Sequence, residues 1–286
     1  MAIISVLCIG DVVGIPGRMI FQKYVQRLKE QFSCDAVIVN GENAAHDGRG
    51  ITPKIMGFFK HAGANLVTSG NHIFAKREIY QYLAEHTDLL RPLNFPGACP
   101  GVGVGFIPTS NGTIGVINVQ GRVFMREHVG CPFKAVESAL TFIKSKTNCV
   151  IIDMHAETSS EKMGLAVLND GKISLLYGTH THVQTADERI LPKGTAFITD
   201  IGMCGSLNSM IGMKATPIIE SLVTQMPHRF EVETAGPLLL SGIVVRIDTE
   251  SGKAQSIERI RIVDETLKVT PEDDAHDAPR SRRPLS

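Results

Sequence analysis

Two histidines one residue apart, His180 and His182, follow the apolar run Leu175-Leu176-Tyr177-Gly178. Side chains two apart in extended backbone project to the same side, so the pair can converge on one point just past a strand end. Neutral imidazole is the commonest metal ligand. An isolated His-x-His is as readily a polar loop bonded to its own backbone, so the weight comes from what else the chain delivers in the same context. Asp11 follows the apolar run Ile3-Ile4-Ser5-Val6-Leu7-Cys8-Ile9, Glu42 and Asn43 follow Ala36-Val37-Ile38-Val39, and Asn71 and His72 follow Leu66-Val67-Thr68-Ser69. His155 ends the run Cys149-Val150-Ile151-Ile152-Asp153-Met154. Singly, each could be a turn residue, a cap or a satisfied core histidine. Recurrence at successive strand ends predicts one constellation, Asp11, Glu42, Asn43, Asn71, His72, His155, His180 and His182, at the carboxyl edge of a sheet.

The elements that must position these residues read as βα units. The first strand runs into a Gly/Pro-rich loop, Gly10 to Arg18, and an amphipathic pattern through Met19, Tyr24, Val25 and Leu28. That loop fits neither G-x-G-x-x-G nor the Walker sequence, and Asp11 suits a cation better than a phosphate. Thr52-Pro53 opens a second helix reaching about His61, and a third helical segment begins near Lys76. Residues 102–107 and 113–119 read as a hairpin around Ser110-Asn111-Gly112. Arg122, just beyond it, is a candidate to place a guanidinium near the site. Thr158-Ser159-Ser160-Glu161 has capping-box spacing, which casts Glu161 as a cap. Asp200, closing a short strand, is a candidate to orient a ligand imidazole or to cap a loop. Residues 203–213, rich in Gly, Ser and Met, read as a mobile flap. Segments 229–234, 238–247 and 254–263 alternate like antiparallel strands expected to form a second sheet against the first.

Composition limits the alternatives. A chain of 286 residues, 43% hydrophobic, can bury a full core. With Lys+Arg 29 against Asp+Glu 29 it lacks the basic field of a non-specific nucleic-acid binder, so any RNA contact should be local to a site. The six cysteines include no C-x-x-C pair and read as reduced core thiols. No run approaches membrane-spanning length and no basic leader opens the chain, so a cytoplasmic protein is expected.

The site pattern resembles the calcineurin-like metallophosphoesterases: an early Asp, an acid after the second strand, Gly-Asn-His, a later His and a His-x-His pair. Gly10-Asp11-Val12-Val13-Gly14, Asn40-Gly41-Glu42-Asn43-Ala44-Ala45, Gly70-Asn71-His72, the run from Gly178 to Asp187 and that from Leu191 to Ala196 resemble the YmdB-like branch more closely. The resemblance covers residues 1 to about 264. It implies an α/β fold, a four-layer α/β/β/α sandwich with two mixed β-sheets, as one catalytic domain over 1–264, with 265–286 expected to be a disordered tail. Most superfamily members have Asp-x-His at the first strand, where this chain has Val13, and Gly-Asp at the second, where it has Gly41-Glu42-Asn43. The branch resemblance implies that Glu42 bridges two divalent ions and Asn43 fills the vacancy. One ion would be held by Asp11, Glu42, Asn43 and His182, the other by Glu42, Asn71, His155 and His180, with His72 off the metals and facing the leaving group.

Two cations about 4 Å apart can acidify a bridging water and neutralise charge during in-line attack on phosphorus, and His72 as imidazolium would protonate the departing oxygen. A donor set of oxygen and nitrogen without thiolate suits iron or manganese at least as well as zinc. The resemblance implies a phosphodiesterase for 2′,3′-cyclic nucleotides or other small phosphodiesters, with a role in RNA turnover or regulation, and leaves homo-oligomer formation open. A metal-dependent amidohydrolase is disfavoured because its His-x-His usually lies on the first strand of a TIM barrel. A non-enzymatic regulatory or RNA-binding scaffold that keeps the metal site is the remaining alternative.

Overall fold

A computed structural model describes residues 2–270, so the part of the expected tail from residue 271 lies outside the described residues. The elements run β1 (Ile3–Ile9), β2 (Asp11–Val12), α1 (Gly14–Gln31), β3 (Ala36–Asn40), α2 (Pro53–Ala62), β4 (Leu66–Thr68), α3 (Ile79–Glu85), β5 (Val104–Thr109), β6 (Gly112–Gln120), α4 (Pro132–Lys144), β7 (Cys149–His155), α5 (Ser159–Leu168), β8 (Leu175–Thr179), β9 (Arg189–Ile190), β10 (Ala196–Ile198), β11 (Met203–Ser206), α6 (Ala215–Thr224), β12 (Leu238–Asp248) and β13 (Ala254–Asp264). The expected loop after β1 is shorter than its glycines and proline suggest. Helix α1 starts at Gly14 and absorbs Pro16 in its first turn, where a missing N–H costs nothing. Helix α2 opens as expected, with Thr52 accepting from Ile55 N and Pro53 at its start.

Two mixed sheets stack face to face. One has the order β2-β11-β12-β1-β3-β4 with β13 on the far side of β12, and the other runs β5-β6-β7-β8-β10-β9. Strand alternation builds three buried layers from them. Leu7 and Ile9 of β1 pack with α1 and α2, while Ile4, Val6 and Cys8 face the second sheet. In β7, Cys149 and Ile151 face the first sheet, while Val150, Ile152 and Met154 meet α4 and α5. Helix, sheet, sheet and helix therefore form the four-layer sandwich that the sequence leads one to expect.

The partition of strands between the sheets departs from expectation. β12 and β13 do not make a second sheet: β12 runs antiparallel beside β1, from Ile3↔Asp248 to Ile9↔Gly242, and β13 follows it. Segment 229–234 forms no strand and contributes one bridge at Val232. Local alternation specifies an amphipathic strand but not which edge it pairs with. Residues 203–206, part of the expected flap, are strand β11, paired with β2 and β12. Leu267, beyond the expected boundary at 264, packs against the first core layer.

Candidate metal centre

The carboxyl ends of β3 and β4 in one sheet meet those of β7 and β8 in the other, and buried polar groups fasten them. Asp153 lies two residues before His155 and on the same face, after Cys149 and Ile151. Its carboxylate accepts from Thr68 Oγ1 (2.5 Å) and Asn40 Nδ2 (3.3 Å) across the sheets, and from Thr179 Oγ1 (2.7 Å) on β8. Full burial raises its pKa to about 7 despite those donors and nearby His155. Thr179 Oγ1 also lies 2.9 Å from His155 Nδ1. A threonine that donates to Asp153 accepts from Nδ1–H, which leaves the His155 Nε2 lone pair pointing into the site. Gly70 makes room for the ring: a Cβ there would come 2.1 Å from His155 Cδ2.

His155 Nε2 faces Glu42 Oε1 at 3.0 Å, His180 Nδ1 at 3.0 Å and Asn71 Oδ1 at 3.1 Å. A single ring nitrogen cannot satisfy three such neighbours with hydrogen bonds, whereas a cation among them would. Glu42, His155 and His180 each offer a ligand atom, all within 4.8 Å of one another. Beside this group, His182 Nε2 is 3.8 Å from Asp11 Oδ1. Asp11 Oδ1 and Asn43 Oδ1 are buried oxygens without a hydrogen-bond partner, a costly arrangement that a bound cation would relieve. The inward nitrogens are matched by anchored outward ones: His180 Nε2 lies 3.3 Å from Glu157 Oε2, and His182 Nδ1 donates to Ile211 O at 2.7 Å. Such outer partners are characteristic of metal-binding histidines. The residues present therefore fit divalent cations: Glu42, His155 and His180 form one donor group with Asn71 beside it, and Asp11, Asn43 and His182 offer further donor atoms.

The electrostatics agree with that grouping. Burial opposes charge on Glu42, but His155 and His72 overcome it and hold the carboxyl at about 2. Burial opposes charge on His155 as well, but Glu42, Asp11 and Asp153 raise it to about 9, so the Nε2 lone pair becomes available for coordination as a binding cation displaces the proton there. Desolvation and the neighbouring His155 depress His180 to about 3, leaving its nitrogens free to coordinate. Burial raises Asp11.

All eight expected residues come together, although the histidine pair does so differently than expected. β8 ends at Thr179, and His180 (φ +97°) and His182 (φ +63°) both have left-handed backbone rather than extended backbone. His180 Nδ1 consequently faces His155 Nε2, whereas His182 Nε2 faces Asp11 Oδ1. Asp200 holds this turn by accepting from Thr181 N (3.2 Å) and Gly202 N (2.9 Å) while paired with buried Lys162 (2.8 Å); it orients backbone, not an imidazole. Glu161 is in the first turn of α5 as expected, but its carboxylate accepts from Arg122 N and Val123 N in another loop. The Arg122 side chain is exposed. The guanidinium-bearing residues that line the cleft are Arg49 and Arg126, together with Phe124, Glu127, Glu157 and Met213, in a space of about 680 Å³. None of these six stands out by periodicity or motif, since loop folding alone brings them to the rim.

A model of YmdB-like proteins matches residues 7–260. The chain belongs to the YmdB-like family. It is 44% identical over 262 residues to the 2′,3′-cyclic-nucleotide 2′-phosphodiesterase of Bacillus subtilis, covering 92% of this chain and 98% of that one. A solved structure titled as a novel phosphatase of Mycoplasma pneumoniae superposes with a TM-score of 0.86 at 34% identity, covering 96% and 97% of the two chains. The NAD nucleotidase of Haemophilus influenzae, 12% identical with a TM-score of 0.58, shares the fold over 96% of this chain and 61% of its own. Among the described residues of this YmdB-like chain, no helix is long and apolar enough to cross a membrane.

Proposed function

We infer that the chain is a metal-dependent phosphodiesterase that opens the cyclic ester of 2′,3′-cyclic nucleotides. One observation carries the reading. Donor atoms of three histidines, two carboxylates and two amides converge at the carboxyl ends of strands from both sheets, with Asp11 Oδ1 and Asn43 Oδ1 buried and unpartnered. The name of the Bacillus subtilis relative supports the substrate class.

When bound, two divalent ions supply an acidified water and neutralise charge at phosphorus. The side chains do the rest. Glu42, Asp11 and the three histidines fix where the ions sit and so where the phosphoryl group lies. Arg49 and Arg126 line the same cleft; among the described residues neither has a carboxylate partner, which leaves both guanidiniums for the anionic substrate. His72 is the proton donor to the departing sugar oxygen. Its Nδ1 lies 3.3 Å from Asn43 Nδ2 and 3.6 Å from Glu42 Oε1. With Nδ1 turned toward Asn43 and Glu42, Nε2 is the nitrogen left to serve the leaving group, and the imidazolium, its charge facing the Glu42 carboxylate, is the form that donates from it. Burial lowers the His72 pKa, and the Glu42 carboxylate works against that shift. Oxygen and nitrogen donors without thiolate suit iron or manganese at least as well as zinc.

Elemental analysis of protein purified without chelators, paired with hydrolysis of 2′,3′-cyclic AMP, tests the reading. Two metals per chain and metal-dependent hydrolysis are expected. Two bound metals with no turnover of either the cyclic nucleotide or bis-p-nitrophenyl phosphate would instead identify a scaffold.

A further inference from the structure

One wall of the cleft presents an aromatic ring to solvent. Phe124 is 86% exposed and lines the cleft with Asn71, His72 and His180. Single exposed apolar side chains are ordinary, but this one sits at φ +63°, a conformation a bulky residue keeps only where its surroundings over-determine it. A buried carboxylate does so: Glu161 accepts from Arg122 N at 3.1 and 3.0 Å and from Val123 N at 3.0 Å. Gly121 gives that carboxylate its room, since a Cβ there would lie 2.6 Å from Glu161 Oε2. The turn closes with Met125 N donating to Arg122 O at 3.3 Å. Behind it, Asn94 ties down Gln120, donating to its carbonyl at 2.7 Å and accepting from its N–H at 3.0 Å. Phe124 belongs to none of the buried clusters, so the ring itself serves no core packing.

We propose that the Phe124 ring is the platform on which the substrate's nucleobase stacks while the cyclic phosphate occupies the metal centre. The proposal rests on the nucleotide reading above and adds the residue that separates a nucleotide from a simple diester. Every base has a π-face, so such a platform accepts all four, with purines favoured by their larger area.

Steady-state kinetics of the metal-loaded enzyme test it, using wild type, Phe124→Ala and Phe124→Trp. The substrates are 2′,3′-cyclic AMP and methyl riboside 2′,3′-cyclic phosphate, which carries the same cyclic ester without a base. Phe124→Ala is expected to raise KM for cyclic AMP by about 5- to 150-fold, the range for losing one stacked base. The base-less ester should suffer far less, and Phe124→Trp should restore the nucleotide KM. Equal losses on both substrates, or no loss on cyclic AMP, overturn the platform. Calorimetric binding of adenosine 3′-monophosphate, against the base-less methyl riboside 3′-phosphate, separates this proposal from the hydrolytic one. Phe124-dependent binding without hydrolysis leaves the platform standing and overturns the phosphodiesterase; hydrolysis with Phe124-independent binding does the reverse. Absence of both overturns both.

Discussion

Asn43 joins the two functions of the site. Its Nδ2 donates to Gly48 O at 3.0 Å and faces His72 Nδ1, while its Oδ1 stays buried without a partner. On the proposed reading, one amide would present a ligand oxygen and position the imidazole that serves the leaving group. Glu42 has a double role too: Oε1 faces His155, and Oε2 accepts from His72 N at 2.9 Å. Elemental analysis should therefore find both metals lost in Glu42→Ala but only one lost in Asn43→Leu, and two metals retained by Glu42→Ala would rule out a bridging carboxylate. His72→Ala should keep both metals yet slow 2′,3′-cyclic AMP hydrolysis by roughly 10²–10⁴-fold, the range for a positioned proton donor. Nitrophenolate leaves without much help, so the loss on bis-p-nitrophenyl phosphate should be much smaller. Equal losses would mean that His72 binds the phosphoryl group instead of protonating the leaving oxygen.

Among the elements, the joint between β4 and β7 is too tight for any side chain at Gly70. Gly70, just past β4, is in contact with the face of His155 at the end of β7, and a methyl group at Gly70 would overlap the ring. Gly70→Ala should push His155 aside, lowering turnover by about 10²-fold, the scale for a displacement of about 1 Å at a reacting centre, and costing about 1–3 kcal/mol as an overpacked site. Gly57→Ala provides the contrast: in α2, a Cβ at Gly57 would meet nothing within 4 Å. It should stabilise the helix by up to about 1 kcal/mol with activity unchanged, measurable as a rise in Tm. If the two variants lost metal and activity alike, contact with His155 would not be the reason for glycine at position 70.

For the molecule as a whole, the end of β13 is clamped to the first helix by one carboxylate. Asp264 accepts from Lys23, from Tyr24 Oη at 2.9 Å, and from Thr266 N at 2.8 Å and Leu267 N at 3.0 Å. Lys23 first, then Thr266 and Tyr24, outweigh burial and hold its pKa well below the usual carboxylate range. A carboxyl depressed in the folded state stabilises the fold above its unfolded pKa of about 3.9 and loses that contribution as pH falls toward the folded value. Asp264→Asn should therefore lower Tm at pH 6, with the gap from wild type closing below about pH 4. A gap that stayed constant with pH would assign the effect to hydrogen bonding rather than charge.

What the sequence determined by itself was the set of candidate residues at the strand ends and the alternating pattern of the strands. Acids, amides and histidines at or just after the ends of apolar runs are local features, so Asp11, Glu42, Asn43, Asn71, His72 and His155 were all legible as candidates. The branch resemblance already set His180 and His182 apart, but the left-handed backbone that does so was not legible, since it depends on positive φ at both residues and on Asp200 and Lys162 bracing the turn from distant elements. Nor was the pairing of β12 beside β1: alternation gives the same pattern for any partner edge, and only the competition among edges for hydrogen bonds and core contact selects one. Arg49, Phe124 and Arg126 lie on loops with no period to read, and the tertiary structure brings them to the cleft by fixing both ends of each loop.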